Sequence, residues 1–83
     1  MTVDELKTNL REILTAEDQP VVDWRTVDCL IDKTLQRLTS EAQPNYPYNT
    51  VFPFLDDAKI RQKELEYAQV QRERLRAWLN ETN

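Results

Sequence analysis

Three arginines near the C-terminus are the side chains best suited to chemistry in this chain. Arg61, Arg72 and Arg76 fall on or beside the main apolar face of a predicted C-terminal helix. Their stems can cover apolar surface while the charged heads reach water. Alternatively, the heads pair with carboxylates of earlier helices, or Arg61 and Arg72 hold an anionic ligand, since a planar guanidinium suits carboxylates and phosphates. The carboxylates considered for such pairs are Glu12, Glu17, Asp28 and Asp32.

The residue types most used in catalysis and metal binding are scarce. The chain has no histidine, no glycine and one cysteine, Cys29. This composition excludes a histidine base, a cysteine-based metal site and the glycine-rich loops that bind nucleotides. Cys29 lies on the side of its predicted helix that faces away from the apolar residues, so we expect an exposed thiol. We therefore predict no catalytic residue, no cofactor and no metal site.

A second group of side chains is suited to binding another protein. Large apolar and aromatic residues that remain exposed after a core is filled usually mark an interface, and arginine and tyrosine are favoured there. We expect the part of the C-terminal helix around Phe54, Ala58 and Leu65 to serve the protein's own core, and the part beyond it to bind a partner. The predicted partner-binding residues are Tyr67, Arg72, Arg76, Trp78, Leu79, Tyr46 and Tyr48.

Composition and charge restrict the class of protein. The chain has 83 residues, 31% of them charged and 40% hydrophobic, and its net charge is −4. These values are typical of a small, acidic, folded domain rather than of a disordered chain. No apolar run is long enough to span a membrane, and no signal peptide is present, so we expect a cytoplasmic protein. The acidic balance argues against binding to nucleic acid.

The first half of the chain predicts two helices joined by a short link. Thr2 and Glu5 form a capping-box pattern, and apolar residues recur behind it every three or four positions. Asp23 is the predicted N-cap of the next helix. We predict helices over residues 2–18 and 23–42. Because the link between them is short, we expect an antiparallel hairpin.

The remainder predicts a loop and one long helix. Residues 43–53 contain three prolines and no charge, so we expect an ordered, aromatic-rich loop that lies across the helices. Two alternatives for this loop are an exposed aromatic surface for a partner and a short edge strand at Val51 and Phe52. Residues 54–81 lack proline and glycine and are rich in helix formers. At about 1.5 Å per residue this helix would be about 40 Å long and would overhang the hairpin.

These elements predict an all-α fold in a single domain over residues 1–83: a three-helix arrangement with an antiparallel helical hairpin and one long C-terminal helix, joined by the loop.

The leading hypothesis for the function is a non-enzymatic protein–protein interaction module, a small regulator, adaptor or assembly factor that acts through its long helix. Its partner is another protein or a second copy of the chain, in a homodimer. The alternative is a small helical ligand-binding protein or catalyst that holds an anionic metabolite with the arginines of the third helix. A third hypothesis, an acidic decoy for a nucleic-acid-binding protein, depends only on the charge of residues 1–53.

Overall fold

The computed structural model describes residues 1–41 and 44–81, and these residues form five helices and no β-strand. The helices are α1 (Val3–Glu17), α2 (Trp24–Ser40), α3 (Tyr48–Asp56), α4 (Ala58–Lys63) and α5 (Leu65–Glu81). The all-α prediction is therefore confirmed, whereas five helices take the place of the three predicted. The chain divides into two compact units, Met1–Asn45 and Tyr46–Asn83. The prediction of a single domain stays a prediction.

The first unit contains α1 and α2, which pack against each other. The predicted capping box is present, because Thr2 Oγ1 accepts a 3.1 Å hydrogen bond from the Glu5 amide and the Glu5 carboxylate accepts one of 3.1 Å from the Thr2 amide. Asp23 caps α2 by accepting a 3.1 Å hydrogen bond from the Arg25 amide. Near the end of α2, Arg37 donates to Glu5 at the start of α1. This contact requires the two helices to run in opposite directions.

The buried faces of α1 and α2 follow the apolar periodicity of the sequence. The buried apolar residues are Leu6, Leu10, Ile13 and Leu14 on α1 and Val27, Ile31 and Leu38 on α2. Cys29 is exposed, as its position on the helix predicts. The predicted end of the second helix at Ala42 and the predicted start of the loop at Gln43 lie outside the described residues.

The segment predicted as a loop is helical from Tyr48 onward. α3 includes Val51 and Phe52, so the alternative of an edge strand is wrong, and Pro53 lies inside this helix. Pro47 stands at the N-cap, where a missing amide hydrogen costs little. An internal proline costs about 3 kcal/mol. Three buried side chains at about 1.5–3 kcal/mol each outweigh that cost. They are Val51, Phe54 and Leu55.

The predicted continuous helix over residues 54–81 is wrong, because the chain leaves helical geometry at Asp57 and again at Glu64. Glu64 has extended backbone angles (φ −111°, ψ 92°). After it, α5 packs against both α3 and α4. A continuous helix would separate residues 57 and 71 by about 21 Å along its axis. Instead, Gln71 Nε2 donates to Asp57 Oδ2 over 3.1 Å. Apolar surfaces on these helices are buried when the chain turns back, and the helix propensity of the sequence does not prevent these two local breaks.

Candidate functional site

Arg61 on α4 is completely buried in the second unit, with 0% of its surface exposed. Its Nη1 donates to the backbone carbonyl of Phe54 and to Gln71 Oε1, the latter over 3.0 Å. The guanidinium carbon lies 3.9 Å from the centroid of the Phe54 ring. Moving a charge out of water costs several kcal/mol, so such a group persists only where it is well hydrogen-bonded. Arg61 therefore joins α4 to residues on both α3 and α5.

The hydrogen bonds of Arg61 continue toward the surface. Gln71 Nε2 donates to Asp57 Oδ2 and to the Tyr67 hydroxyl oxygen, each over 3.1 Å. The Tyr67 hydroxyl in turn donates to Asp57 Oδ2 over 2.7 Å. This bond raises the pKa of Tyr67, because ionisation would place a phenolate beside a carboxylate. We call Arg61, Gln71, Asp57 and Tyr67 the Arg61 cluster; its hydrogen bonds set the register between α5 and the residues before it.

The geometry of the Arg61 cluster does not favour anion binding by Arg61. An anion would have to reach a guanidinium that has no exposed surface and whose Nη1 already donates to two protein oxygens. Arg61 is also fully buried, so it does not match the interpretation of a stem that covers surface while the head reaches water. Arg72 is half-buried on α5, and the anion-binding hypothesis for Arg72 stays a prediction.

The predicted partner-binding residues of α5 differ in their exposure. Leu79 is only 2% exposed, so the prediction that it remains on the surface is wrong. The physical reason is that α5 turns back and packs along α3 and α4. Arg72, Arg76 and Trp78 are half-buried, whereas Tyr67 is 40% exposed.

The two predicted tyrosines of the loop lie at the start of the second unit. Tyr48 is 55% exposed and stacks on Phe52 with ring centroids 4.9 Å apart. Tyr46 is half-buried, and its ring centroid lies 6.3 Å from that of Tyr48. Burial and the neighbouring Tyr48 raise the pKa of Tyr46. Tyr48 therefore presents aromatic surface to solvent, whereas Tyr46 does so only in part.

Three exposed aliphatic residues near the bend at Glu64 were not predicted as partner-binding residues. Ile60, Leu65 and Val70 are 45%, 76% and 43% exposed. The prediction that Leu65 lies in the core is therefore wrong. A helical wheel drawn through residue 64 assigns Leu65 to the apolar face, but the bend changes the direction of every later side chain. The feature of the sequence that could have indicated this exposed surface is the large aliphatic side chain of Leu65 directly after Glu64.

Sequence spacing relates these aliphatic residues to Tyr67 and to the bend. Ile60 is three positions after Asp57, which accepts the hydrogen bond of Tyr67. Val70 is three positions after Tyr67, and residues at this spacing are neighbours on a helix surface. Leu65 is the first residue after the bend. We define Ile60, Leu65, Tyr67 and Val70 as the corner surface.

Within residues 1–41 and 44–81, no group of three or more histidine, cysteine, aspartate or glutamate residues is placed to hold a metal ion. None of the helices in these ranges has the length and apolar character needed to cross a membrane. Comparison with protein-family models, with curated proteins and with solved structures finds no match to this chain.

Proposed function

We propose that this protein is a non-enzymatic protein–protein interaction module that self-associates through the corner surface. The supporting observation is the exposure of its four large side chains, from 40% for Tyr67 to 76% for Leu65, around a single bend. Exposed apolar residues scattered singly are normal on small proteins, whereas grouped ones typically mark an interaction site. Aromatic residues are also enriched at interfaces.

The charge distribution favours a second copy of the chain as the partner. Residues 1–53 carry nine acidic and five basic side chains, whereas residues 54–83 carry six of each. Two copies that meet through their acidic halves repel each other. The corner surface lies in the neutral half, where Lys59 and Lys63 are followed by Glu64 and Glu66. In a twofold-symmetric interface the same patch meets itself, so a surface with both signs of charge can complement its own copy.

The size of the corner surface predicts weak association. Two copies would bury eight partly exposed side chains, each contributing about 1 kcal/mol because full burial contributes about 1.5–3 kcal/mol. This gain is comparable with the association cost of about 4–15 kcal/mol. At the low end of that cost the net gain is about 4 kcal/mol, so we expect a dissociation constant of about 1 mM.

Analytical ultracentrifugation over a wide range of protein concentrations tests the proposal. We expect the average mass to rise from monomer toward dimer, and the variant Leu65→Ser/Val70→Ser to shift this rise to higher concentration, because it removes apolar area without changing charge. Val21→Ser is the matched control, since Val21 is 87% exposed in the first unit. Circular dichroism checks that each variant keeps its helices.

A wild-type protein that stays monomeric at millimolar concentration would contradict self-association. The corner surface would also be the wrong site if Val21→Ser weakened the dimer as much as Leu65→Ser/Val70→Ser does. If the wild type stays monomeric but a heterologous apolar helix binds to the corner surface, the module has a different partner.

A further inference from the structure

A groove in the first unit lies between the last turns of α1 and the start of α2. Its volume is about 300 Å³. Ala16 and Val21 supply apolar lining, and Thr15 and Thr26 also line the groove. Val21 is 87% exposed. The groove therefore presents apolar walls to solvent.

Two carboxylates line the same groove from different elements, Glu12 on α1 and Asp23 at the N-cap of α2. Asp23 accepts hydrogen bonds from Thr26 Oγ1 over 3.0 Å and from the Arg25 amide over 3.1 Å. These bonds, first those from Thr26, lower the pKa of Asp23, so this side chain is ionised at neutral pH. Glu12 forms no ion pair with any residue in the described part of the chain.

The helix ends beside the groove oppose each other electrostatically. The start of α2 is the positive end of its dipole and weakly repels a cation, whereas the end of α1 is negative and attracts one. The last turn of α1 contains no basic side chain. The nearest cation in sequence to Asp23 is Arg25, which is exposed. With the two dipole ends offsetting each other, the carboxylates of Glu12 and Asp23 determine the sign of the field in the groove.

We propose that this groove binds an arginine or lysine side chain from a basic segment of a partner protein. Such a side chain has an aliphatic stem and a charged head. The stem fits against Ala16 and Val21, and the head lies between Glu12 and Asp23. The acidic balance of residues 1–53 attracts a basic segment over longer distances. This site is independent of self-association through the corner surface.

The test is an NMR titration of the full chain with two short blocked peptides. The first peptide carries two arginines flanked by glycine and serine, and the second carries citrulline, which is neutral and nearly the same shape, in place of each arginine. We expect the arginine peptide to give saturable shifts at the amides of Ala16, Val21 and Thr26, and the citrulline peptide to give none. Absence of saturable shifts at these residues would overturn the proposal.

Matched variants separate the groove from general attraction to an acidic protein. Glu12→Gln/Asp23→Asn removes both carboxylates, and asparagine remains a good N-cap. We expect about fivefold weaker binding, since each exposed ion pair contributes about 0.2–1 kcal/mol. Asp28→Asn/Asp32→Asn changes the net charge equally, at exposed positions that do not line the groove, and we expect binding close to that of the wild type. Equal weakening in both variants would show diffuse attraction and would overturn the proposal.

Discussion

Arg61 connects the helices of the second unit through contacts that no other residue type reproduces. Its guanidinium donates to the Phe54 carbonyl and the Gln71 amide oxygen, and its central carbon lies 3.9 Å from the centroid of the Phe54 ring. Lysine has a compact ammonium group and cannot combine these donors with a planar stacking surface. Because the side chain is fully buried, its loss also leaves unfilled space.

We expect Arg61→Ala to lower the free energy of unfolding by about 2–4 kcal/mol, because two buried oxygens lose their donor and a cavity forms. Arg61→Lys should recover only part of this loss. Urea denaturation followed by circular dichroism measures both. Arg74→Ala is the control, because Arg74 is exposed on α5 and its truncation should change stability by less than about 0.5 kcal/mol. If Arg61→Ala and Arg74→Ala were equally stable, the structural role of Arg61 would be disproved.

The pairing of α1 with α2 includes an ionic connection between their ends. Arg37 donates to Glu5 on α1 and, over 3.1 Å, to Glu41 just after α2. The hydrogen bond from Arg37, followed by those from Thr2, lowers the pKa of Glu5 from 4.5 to about 2. The bonds from Arg37 also lower the pKa of Glu41. These groups are solvent-exposed, so their contribution is small beside that of the apolar face.

The lowered pKa of Glu5 predicts a direction for acid destabilisation. Because the folded state favours ionised Glu5, this contribution is complete above about pH 4.5 and is lost as the pH falls toward 2. We expect Glu5→Gln to reduce the slope of stability against pH in this window, and Arg37→Gln to reduce it as well. Glu41 retains part of the slope in the Glu5 variant. Thermal unfolding measured at a series of pH values gives this slope. If both variants kept the wild-type slope, the interaction between Glu5 and Arg37 would not be its source.

Charge is divided unevenly along the chain, and the two proposed interactions use this division differently. The acidic half contains the groove, whereas the neutral half contains the corner surface. Attraction of a basic peptide to the groove is electrostatic. Self-association through the corner surface depends on apolar contact and is opposed by repulsion between copies that each carry a net charge of −4.

The two interactions should therefore respond oppositely to salt. Raising the salt concentration from about 0.05 M to about 0.5 M shortens the range of electrostatic forces from about 14 Å to about 4 Å. We expect the dimer to become tighter, since repulsion between copies is screened, and peptide binding to become weaker. Ultracentrifugation and the NMR titration measure these changes. Loss of the dimer at high salt would indicate that ion pairs, rather than the corner surface, hold it together.

Interactions between residues close in sequence were predictable. The capping box of Thr2 and Glu5 joins residues three apart, and the cap at Asp23 reaches only its own helix, so both follow from local pattern. The buried faces of α1 and α2 follow from apolar periodicity for the same reason. Among the predicted partner-binding residues, Tyr67 belongs to the corner surface; the exposure of Ile60, Leu65 and Val70 was not foreseen.

The amino-acid sequence by itself determined that the chain is helical, where α1 and α2 begin, and how the charge is divided. Only the tertiary structure decided that the predicted C-terminal helix bends at Glu64, that Arg61 is buried and that Leu65 is exposed. These outcomes depend on contacts such as that between Asp57 and Gln71, which are 14 positions apart. Helix propensity is nearly the same for a straight and a bent helix, so burial of apolar surface between separate segments selects the bend.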